Sequence, residues 1–284
     1  MRSLLVLGPN RPNFICPMPT PYLAETLLIE GPDAIAFAQA QFSSKISSLA
    51  TGHWQFSAWL DPQGRVRALF HLARLADDRL LLLLRGGSAA AMVDALQRFV
   101  FRSKLTLTAL PPRALATGPA QPMHAIDDEA ETLSLGCGTH GLQVTATNHG
   151  DDAWRLLQLR AGWPWLSGKA LDALQPPSLS LHRLHAVAID KGCYPGQEIV
   201  ARLHYRGGHK RHLHSVILSH AANAGEVLRS GEREVGCLLD VISTDTAIEA
   251  LVVLSDDVAA QANDGRLNPF DDGLVIHIGN TWPA

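Results

Sequence analysis

The order of apolar and polar positions in the first hundred residues predicts an antiparallel sheet. Residues 27–29, 53–60 and 79–85 are mostly apolar runs of strand length. Apolar side chains recur at every second position of 66–72, shortly after the turn sequence Asp-Pro-Gln-Gly at 61–64. This succession of strand, turn and strand is typical of neighbouring strands joined by hairpins.

Two other stretches of the same region have the pattern of helices. Residues 34–41 follow Asp33, whose carboxylate favours the start of a helix. A second helix is predicted after the strand at 79–85, with Met92, Leu96 and Phe99 on one face. An antiparallel sheet with helices on one face belongs to the α+β class.

The rest of the chain divides at proline-rich and polar segments. Prolines concentrate at 109–123, strand-like residues occupy 133–146, and a helix is predicted from Asp151 to Arg160. After Arg211 several short strand candidates follow closely, which indicates a small β-barrel or sandwich. The predicted division is an extended leader at 1–20, an α+β lobe at 21–110, a second α+β lobe at 111–208 and a C-terminal β-barrel at 209–284.

The most distinctive sequence lies in the second lobe. Residues 186–190 are a short apolar run that predicts a strand, and good helix formers begin at Gln197 and continue to Leu203. Between them, glycines and a proline in Lys-Gly-Cys-Tyr-Pro-Gly predict a tight loop. Cys193 therefore lies on a loop just before a helix.

That position gives Cys193 two possible roles. Backbone N–H groups at a helix N-terminus and the neighbouring Lys191 would stabilise a thiolate, which can attack an electrophile, bind a metal or exchange disulfides. The alternative is a small, half-buried residue that fills space in the loop. We predict the functional thiol.

Composition and charge restrict the classes of function. The chain has 284 residues, of which 46% are hydrophobic and 18% charged, as in an ordinary globular protein. The formal net charge is −3, so no global electrostatic attraction favours nucleic acid or membrane. Direct nucleic-acid binding is therefore not expected, especially because basic and aromatic residues interleave in one cluster alone.

The four cysteines are spread widely over the chain, without a Cys-x-x-Cys pair. This spacing fits neither a disulfide framework nor a zinc or iron–sulfur cradle, so we expect no metal site. The N-terminal apolar run is four residues long, too short for a signal peptide or a membrane span. We expect a cytoplasmic protein and a monomer.

The run from Lys191 to Arg202, Lys-Gly-Cys-Tyr-Pro-Gly-Gln-Glu-Ile-Val-Ala-Arg, together with Tyr205-Arg206-Gly-Gly, resembles the signature of the YgfZ family. These proteins are folate-binding relatives of the glycine-cleavage T-protein, an aminomethyltransferase. The resemblance implies a T-protein-like, multi-lobed fold with a C-terminal barrel. It also implies a tetrahydrofolate-binding accessory protein that supports assembly or repair of iron–sulfur enzymes, including tRNA-modifying ones, through transient contacts with these clients.

The resemblance also suggests which residues contact the folate, in a cleft shared by the two α+β lobes. Trp154 is by itself either a core residue or a flat surface for a pterin ring, and its spacing resembles a tryptophan of folate-binding relatives. Arg202 is the first candidate for the carboxylates of the glutamate tail. The remaining predicted cofactor contacts are signature residues: Lys191, Tyr194, Gln197, Glu198 and Arg206.

The alternative to an accessory protein is a folate-dependent one-carbon transferase similar to the T-protein. That enzyme carries an acidic residue shortly after its third strand, whereas residues 86–91 contain no acid here. Aminomethyl transfer is therefore disfavoured. A further departure is His204, where relatives have lysine, which weakens the positive charge at neutral pH.

Overall fold

The structure is a computed structural model that describes residues 23–129, 132–145 and 151–283. The predicted leader at 1–20, with Cys16, lies outside the described residues. The strands are β1 Leu23–Ala24, β2 Thr26–Glu30, β3 His53–Leu60, β4 Val66–Ala76, β5 Arg79–Leu84, β6 Thr106–Ala109, β7 Arg113–Gly118, β8 Ile126–Glu129, β9 Thr132–Gly136, β10 Gly141–Thr145, β11 Arg211–Leu218, β12 Val227–Ser230, β13 Arg233–Ser243, β14 Ile248–Ser255, β15 Arg266–Leu267 and β16 Ile276–Trp282. The α-helices are α1 Ala34–Gln41, α2 Ala89–Gln97, α3 Ala153–Arg160, α4 Gln197–Arg206 and α5 Asp256–Ala259, with 3-10 turns at Ile46–Ser48 and Pro176–Leu179.

The first sheet has the antiparallel order β3-β4-β5-β2-β6, and the α+β class predicted from the sequence is confirmed. One face packs against α1 and α2 through Phe70 and Leu72 of β4. The opposite face, with Leu69 and Ala73, packs into the centre of the molecule. Both faces of β4 are therefore buried, which explains its nearly continuous run of apolar side chains. We predicted that Phe99 lies on the buried face of α2. The helix ends at Gln97, and Phe99 is exposed.

The second sheet has the order β1-β7-β10-β9-β8, with α3 packed against it. Strands β9 and β10 account for most of the strand-like stretch predicted at 133–146, whose last residue lies outside the described part of the chain. Residues 23–24 pair with β7 before the chain enters the first sheet. The first residues described thus belong to the second sheet, and the domain boundaries proposed from the sequence stay predictions.

The third sheet has the order β12-β13-β14-β11-β16-β15 and curves as a half-barrel near the C-terminus, as predicted. The pairing of β13 with β14 shifts register between Leu238 and Asp240, as at a β-bulge, and Leu239 there packs into the core shared with the other two sheets. One apolar cluster draws Trp54, Leu135 and Leu251 from the three sheets together. The sheets therefore share a core, and the spaces between them are the natural places for a ligand.

Candidate functional site

A cleft lies where the three sheets meet, and we call it the central cleft. It has a volume of about 270 Å³. A second pocket of about 170 Å³ adjoins it and shares the lining residues Leu84, Gly86 and Gly87. The other residues around the central cleft are Leu23, Glu25, Trp165, Leu166, Ser167, Ala224, Leu239 and Asp240. Apolar walls with a few polar groups are typical of a small-molecule site.

Gly86 allows two segments of backbone to meet at this cleft. Its φ is +108°, and a Cβ at this position would lie 1.9 Å from the carbonyl oxygen of Leu166. The Leu166 N–H donates to the carbonyl oxygen of Arg85 at 2.8 Å. A glycine is required here because any side chain would force the segment with Trp165 away from the end of β5.

The cleft is built on a buried guanidinium. Arg85 is fully buried, and its Nε and Nη2 donate to the carbonyl oxygens of Pro164 at 2.9 Å and Trp163 at 2.7 Å. Its Nη1 donates to Gln158 Oε1 at 2.7 Å and to His71 Nε2 at 2.8 Å. Burial lowers the pKa of Arg85 to about 9, so the cation persists at neutral pH. These bonds fix α3 and residues 163–165 against the first sheet.

Two tryptophans stand one behind the other at this cleft, with Trp165 on its wall and Trp154, the predicted pterin contact, further inside. Trp154 is 0% exposed and belongs to the core, so neither face of its ring is free to stack on a ligand. Its ring centroid lies 5.5 Å from that of Trp165, which is half-buried and lines the cleft. The guanidinium of Arg85 lies 4.8 Å from the centroid of Trp165. Trp154 thus supports the aromatic surface that Trp165 presents.

Two carboxylates reach the cleft from distant parts of the sequence. Glu25 accepts the N–H of Ala89 at 2.9 Å, at the start of α2. Asp240 is 3% exposed and pairs with Arg155 at 3.3 Å. A charged residue within the otherwise apolar stretch 235–242 was the signal that could have identified Asp240 from the sequence, because a buried charge needs a partner or a function.

The signature segment is fastened to the first sheet by its own side chains. Lys191 Nζ donates to the carbonyl oxygens of Phe42 at 2.6 Å and Ser44 at 2.8 Å. The Tyr194 hydroxyl donates to the carbonyl oxygen of Ala188, and Gln197 Nε2 donates to that of Lys191. Burial lowers the pKa of Lys191 to about 8 and raises that of Tyr194. These three predicted cofactor contacts are occupied in holding the loop.

Backbone geometry completes this attachment. Gly196, the residue before α4, has φ +79°, and a Cβ there would lie 2.5 Å from the carbonyl oxygen of Asp61 in the β3–β4 turn. The helix predicted from Gln197 is present, but residues 186–190 form no strand. The Ala186 N–H bonds back to the Leu181 carbonyl, the Ala188 N–H donates to the Ser43 carbonyl, and the chain bends at Ile189 and Asp190. The predicted strand is therefore wrong, since this segment packs beside the sheet and does not join it.

The other signature residues face solvent. Cys193 is exposed on the loop, three residues before Gly196. Glu198, Arg202 and Arg206 are exposed on α4. Eight site residues were predicted from the sequence: Trp154 and seven residues of the signature. None of them lines the central cleft.

A second cavity system runs beside the signature, and we call it the histidine groove. One part has a volume of about 380 Å³ and the other about 340 Å³, and they share Ser48, Gln55 and His185. The remaining residues around it are Lys45, Leu49, Ala50, His53, Trp54, His124, His182, Leu184, Val187, Ala188, Ile189, Asp190 and His204. His124 and His185 have φ values of +70° and +52°, which non-glycine residues seldom adopt.

No metal centre accompanies these cavities. Among the described residues, no three His, Cys, Asp or Glu side chains are grouped to hold a metal ion. Cys137, Cys193 and Cys237 are free thiols. Burial raises the pKa of Cys137 to about 12, so this thiol stays protonated and unreactive. Within the described part of the chain, no helix has the length and apolar character needed to cross a bilayer.

Comparison with known proteins agrees with this architecture. No family model matches the chain. Among solved structures, the glycine cleavage system aminomethyltransferase T from Bartonella henselae superposes with a TM-score of 0.68, at 17% identity, over 90% of this chain and 83% of that protein. The molecule thus has the fold of the glycine-cleavage T-protein.

Sequence relatives are more specific. The tRNA-modifying protein YgfZ of Edwardsiella ictaluri is 27% identical over 286 residues, and that of Sodalis glossinidius is 24% identical over 312 residues. These alignments cover 86% and 90% of this chain, and 85% and 92% of the relatives. An uncharacterized protein of Haemophilus influenzae is 26% identical over 254 residues. The resemblance to YgfZ proteins, predicted from the signature, is confirmed over most of the chain.

Proposed function

We propose that this protein is a tetrahydrofolate-binding accessory protein that supports assembly or repair of iron–sulfur enzymes, including tRNA-modifying ones. Similarity to proteins named tRNA-modifying protein YgfZ, on a T-protein fold, supports the class. The observation that carries folate binding is the central cleft, an apolar cavity with one aromatic ring and two carboxylates at the junction of three sheets.

The residues of the cleft match the chemistry of a reduced pterin. The face of Trp165 offers contact area for the ring, and Leu84 and Leu239 offer apolar walls. The amino and ring N–H groups of a pterin are donors, and Glu25 and Asp240 are acceptors at the same cleft. Buried carboxylates that pair with ring donors give specificity as well as affinity.

The adjoining pocket suits the remainder of the folate. Tetrahydrofolate is larger than the central cleft alone, and the second pocket continues past Gly86 and Gly87 to Arg67. The Arg67 guanidinium lies 4.1 Å from the ring centroid of Trp59 and 3.4 Å from Asp172. We therefore propose Arg67 as the cation for the glutamate tail, the role that the sequence suggested for Arg202.

Calorimetry with tetrahydrofolate tests this assignment. Replacing Trp165 with alanine should weaken binding by about thirtyfold, or roughly 2 kcal/mol, because the pterin loses its stacking surface. Trp165→Phe should retain most of the affinity. Tyr205→Ala removes an exposed aromatic ring outside the cleft and should leave binding unchanged. Equal affinity of the wild type and Trp165→Ala would disprove the placement of the pterin.

Transfer of a one-carbon unit is the second candidate function. It is less favoured because both carboxylates at the cleft are already committed, Glu25 to α2 and Asp240 to Arg155. A carboxylate held in this way is a fixed acceptor for a ring donor and is not free to turn towards a reacting group. Sustained turnover of methylene- or formyl-tetrahydrofolate by the purified protein would support the transferase, and binding without turnover would support the accessory role.

We propose that the exposed thiol of Cys193 is the group that acts on client proteins in the accessory role. The loop is fixed by Lys191 and Tyr194, so the thiol is presented to solvent in a defined position, accessible to a client protein. In a strain without its own YgfZ protein, Cys193→Ala should fail to restore the activity of iron–sulfur enzymes. Cys237→Ala, which removes a half-buried thiol of the barrel, should restore it. Full rescue by Cys193→Ala would remove the thiol from the mechanism.

A further inference from the structure

The outer face of α4 combines cations with an exposed aromatic ring. Arg202, Tyr205 and Arg206 are spaced at i, i+3 and i+4, so their side chains lie on one side of the helix. Tyr205 is 75% exposed. Gly207 and Gly208, with φ values of +63° and +90°, end the helix and lead to the exposed Lys210. The face therefore continues from the helix into the following turn.

These cations have no carboxylate partner within the residues that the structure describes. Arg202, Arg206 and Lys210 form no ion pair with any carboxylate in the described part of the chain, and the acid nearest in sequence, Glu198, is not within ion-pair distance of Arg202. Three exposed arginines elsewhere have a carboxylate partner. Arg160, Arg229 and Arg233 each pair with a glutamate or an aspartate. The basic character of α4 is thus local, so the net charge of −3, from which the sequence analysis expected no direct nucleic-acid binding, does not describe this face.

His204 connects the outer face of α4 to the histidine groove. The ring of His204 lies 5.1 Å from that of Tyr205 and 5.0 Å from that of His182, measured between centroids. His182 and His204 both line the part of the histidine groove that has a volume of about 380 Å³. Burial and the charge of His204 lower the pKa of His182, so its neutral ring offers hydrogen bonds to an uncharged, planar group. Gln55 adds an amide to the same wall.

We propose that this surface binds a single-stranded segment of RNA. Arg202, Arg206 and Lys210 contact successive phosphates, Tyr205 stacks on one base, and the neighbouring base enters the histidine groove. Phosphate-binding cations beside an exposed aromatic ring are the usual means of holding an unpaired strand. The choice of RNA as partner rests on the proposed role with tRNA-modifying enzymes. Because the net charge gives no long-range attraction, binding depends on these few contacts and is sensitive to salt.

Fluorescence anisotropy with a labelled, unstructured RNA oligonucleotide tests the proposal on the full-length protein without folate. The logarithm of the association constant should fall with the logarithm of salt concentration with a slope of about −2, as expected for three phosphates on a single strand. The double variant Arg202→Gln/Arg206→Gln should bind about tenfold more weakly and with a shallower slope. Tyr205→Ala should lose about tenfold, and Tyr205→Phe should bind as the wild type does.

Matched controls separate this surface from general charge effects. Arg98→Gln and Arg266→Gln together remove two exposed cations, one at the end of α2 and one in β15, and should not change the affinity for RNA. An RNA duplex of the same length should bind more weakly, because its bases are not free to stack or enter the groove. Absence of RNA binding at low salt, equal affinity of the α4 variants and the wild type, or equal affinity for the duplex would overturn the proposal. None of these results would alter tetrahydrofolate binding at the central cleft.

Discussion

Replacing Arg85 with methionine should lower the free energy of unfolding by about 4 kcal/mol. The side chain donates to two backbone carbonyls, to the amide oxygen of Gln158 and to His71, all in a dry interior. Methionine fills a similar volume but donates nothing, so these acceptors lose their partners, at a cost of about 1–3 kcal/mol each, partly relieved by relaxation. The loss should be measured by urea denaturation at neutral pH.

Arg98→Met provides the matched control for this substitution. Arg98 is exposed at the end of α2, so the same change of side chain should alter stability by no more than about 0.5 kcal/mol. Because the Arg85 network also fixes residues 163–165, the Arg85→Met protein should bind tetrahydrofolate more weakly wherever it is still folded. A fully stable Arg85→Met protein would show that the buried guanidinium is dispensable for the junction of the three sheets.

Mild acid should destabilise the protein because several buried histidines are neutral in the fold. Burial lowers the pKa of each of the following histidines: His71, His124, His140, His182, His209 and His214. Above about pH 6.5 these groups are neutral in both the folded and the unfolded chain, and they add no pH dependence. As the pH falls further, the unfolded chain binds protons that the folded chain excludes, so stability decreases.

The size of this effect follows from the two most buried rings. His71 is fully buried beside the Arg85 cation, and His214, whose pKa is lowered to about 4, is 4% exposed. Well below pH 6.5 each such group costs at most about 1.4 kcal/mol per pH unit, and together they remove about 2 kcal/mol between pH 6 and pH 5. The lowered pKa values of Asp190, Glu249 and Asp257 act below this window.

Denaturation curves at constant ionic strength, between pH 7.5 and pH 5, measure this dependence. His214→Asn keeps a side chain that can reach the Thr281 hydroxyl, now 2.9 Å from His214 Nδ1, and removes the titrating ring. Its stability should therefore fall less steeply, by at most about 1.4 kcal/mol per pH unit. The exposed His277→Asn should leave the slope unchanged. A wild-type protein equally stable at pH 7.5 and pH 5 would contradict the account of these buried rings.

Local sequence signals were sufficient for much of the fold. The alternation at 66–72 and the turn at 61–64 predicted β3 and β4, because hairpins are determined by neighbouring residues. Helix α4 was predicted from its helix formers after Gly196. The prediction of a strand at 186–190 was wrong because an apolar run indicates burial and does not show whether a neighbouring strand is available for hydrogen bonding.

The central cleft could not be assembled from the sequence, because its residues come from segments far apart in the chain. Glu25, Gly86, Trp165 and Asp240 meet only when the three sheets pack together. The sequence does not distinguish Trp154 from Trp165. The fold does, because Trp154 is fully buried behind Trp165, and Trp165 lines the cleft. The signature identified the class of protein, but Lys191, Tyr194 and Gln197 support the loop rather than the cleft.

A crystal structure of the complex with tetrahydrofolate would decide where the pterin binds. We expect density for the pterin ring against Trp165, between Gly86–Gly87 and Asp240, with the glutamate tail directed towards Arg67. Density for the pterin in the histidine groove, beside Lys45 and His185, would contradict this placement.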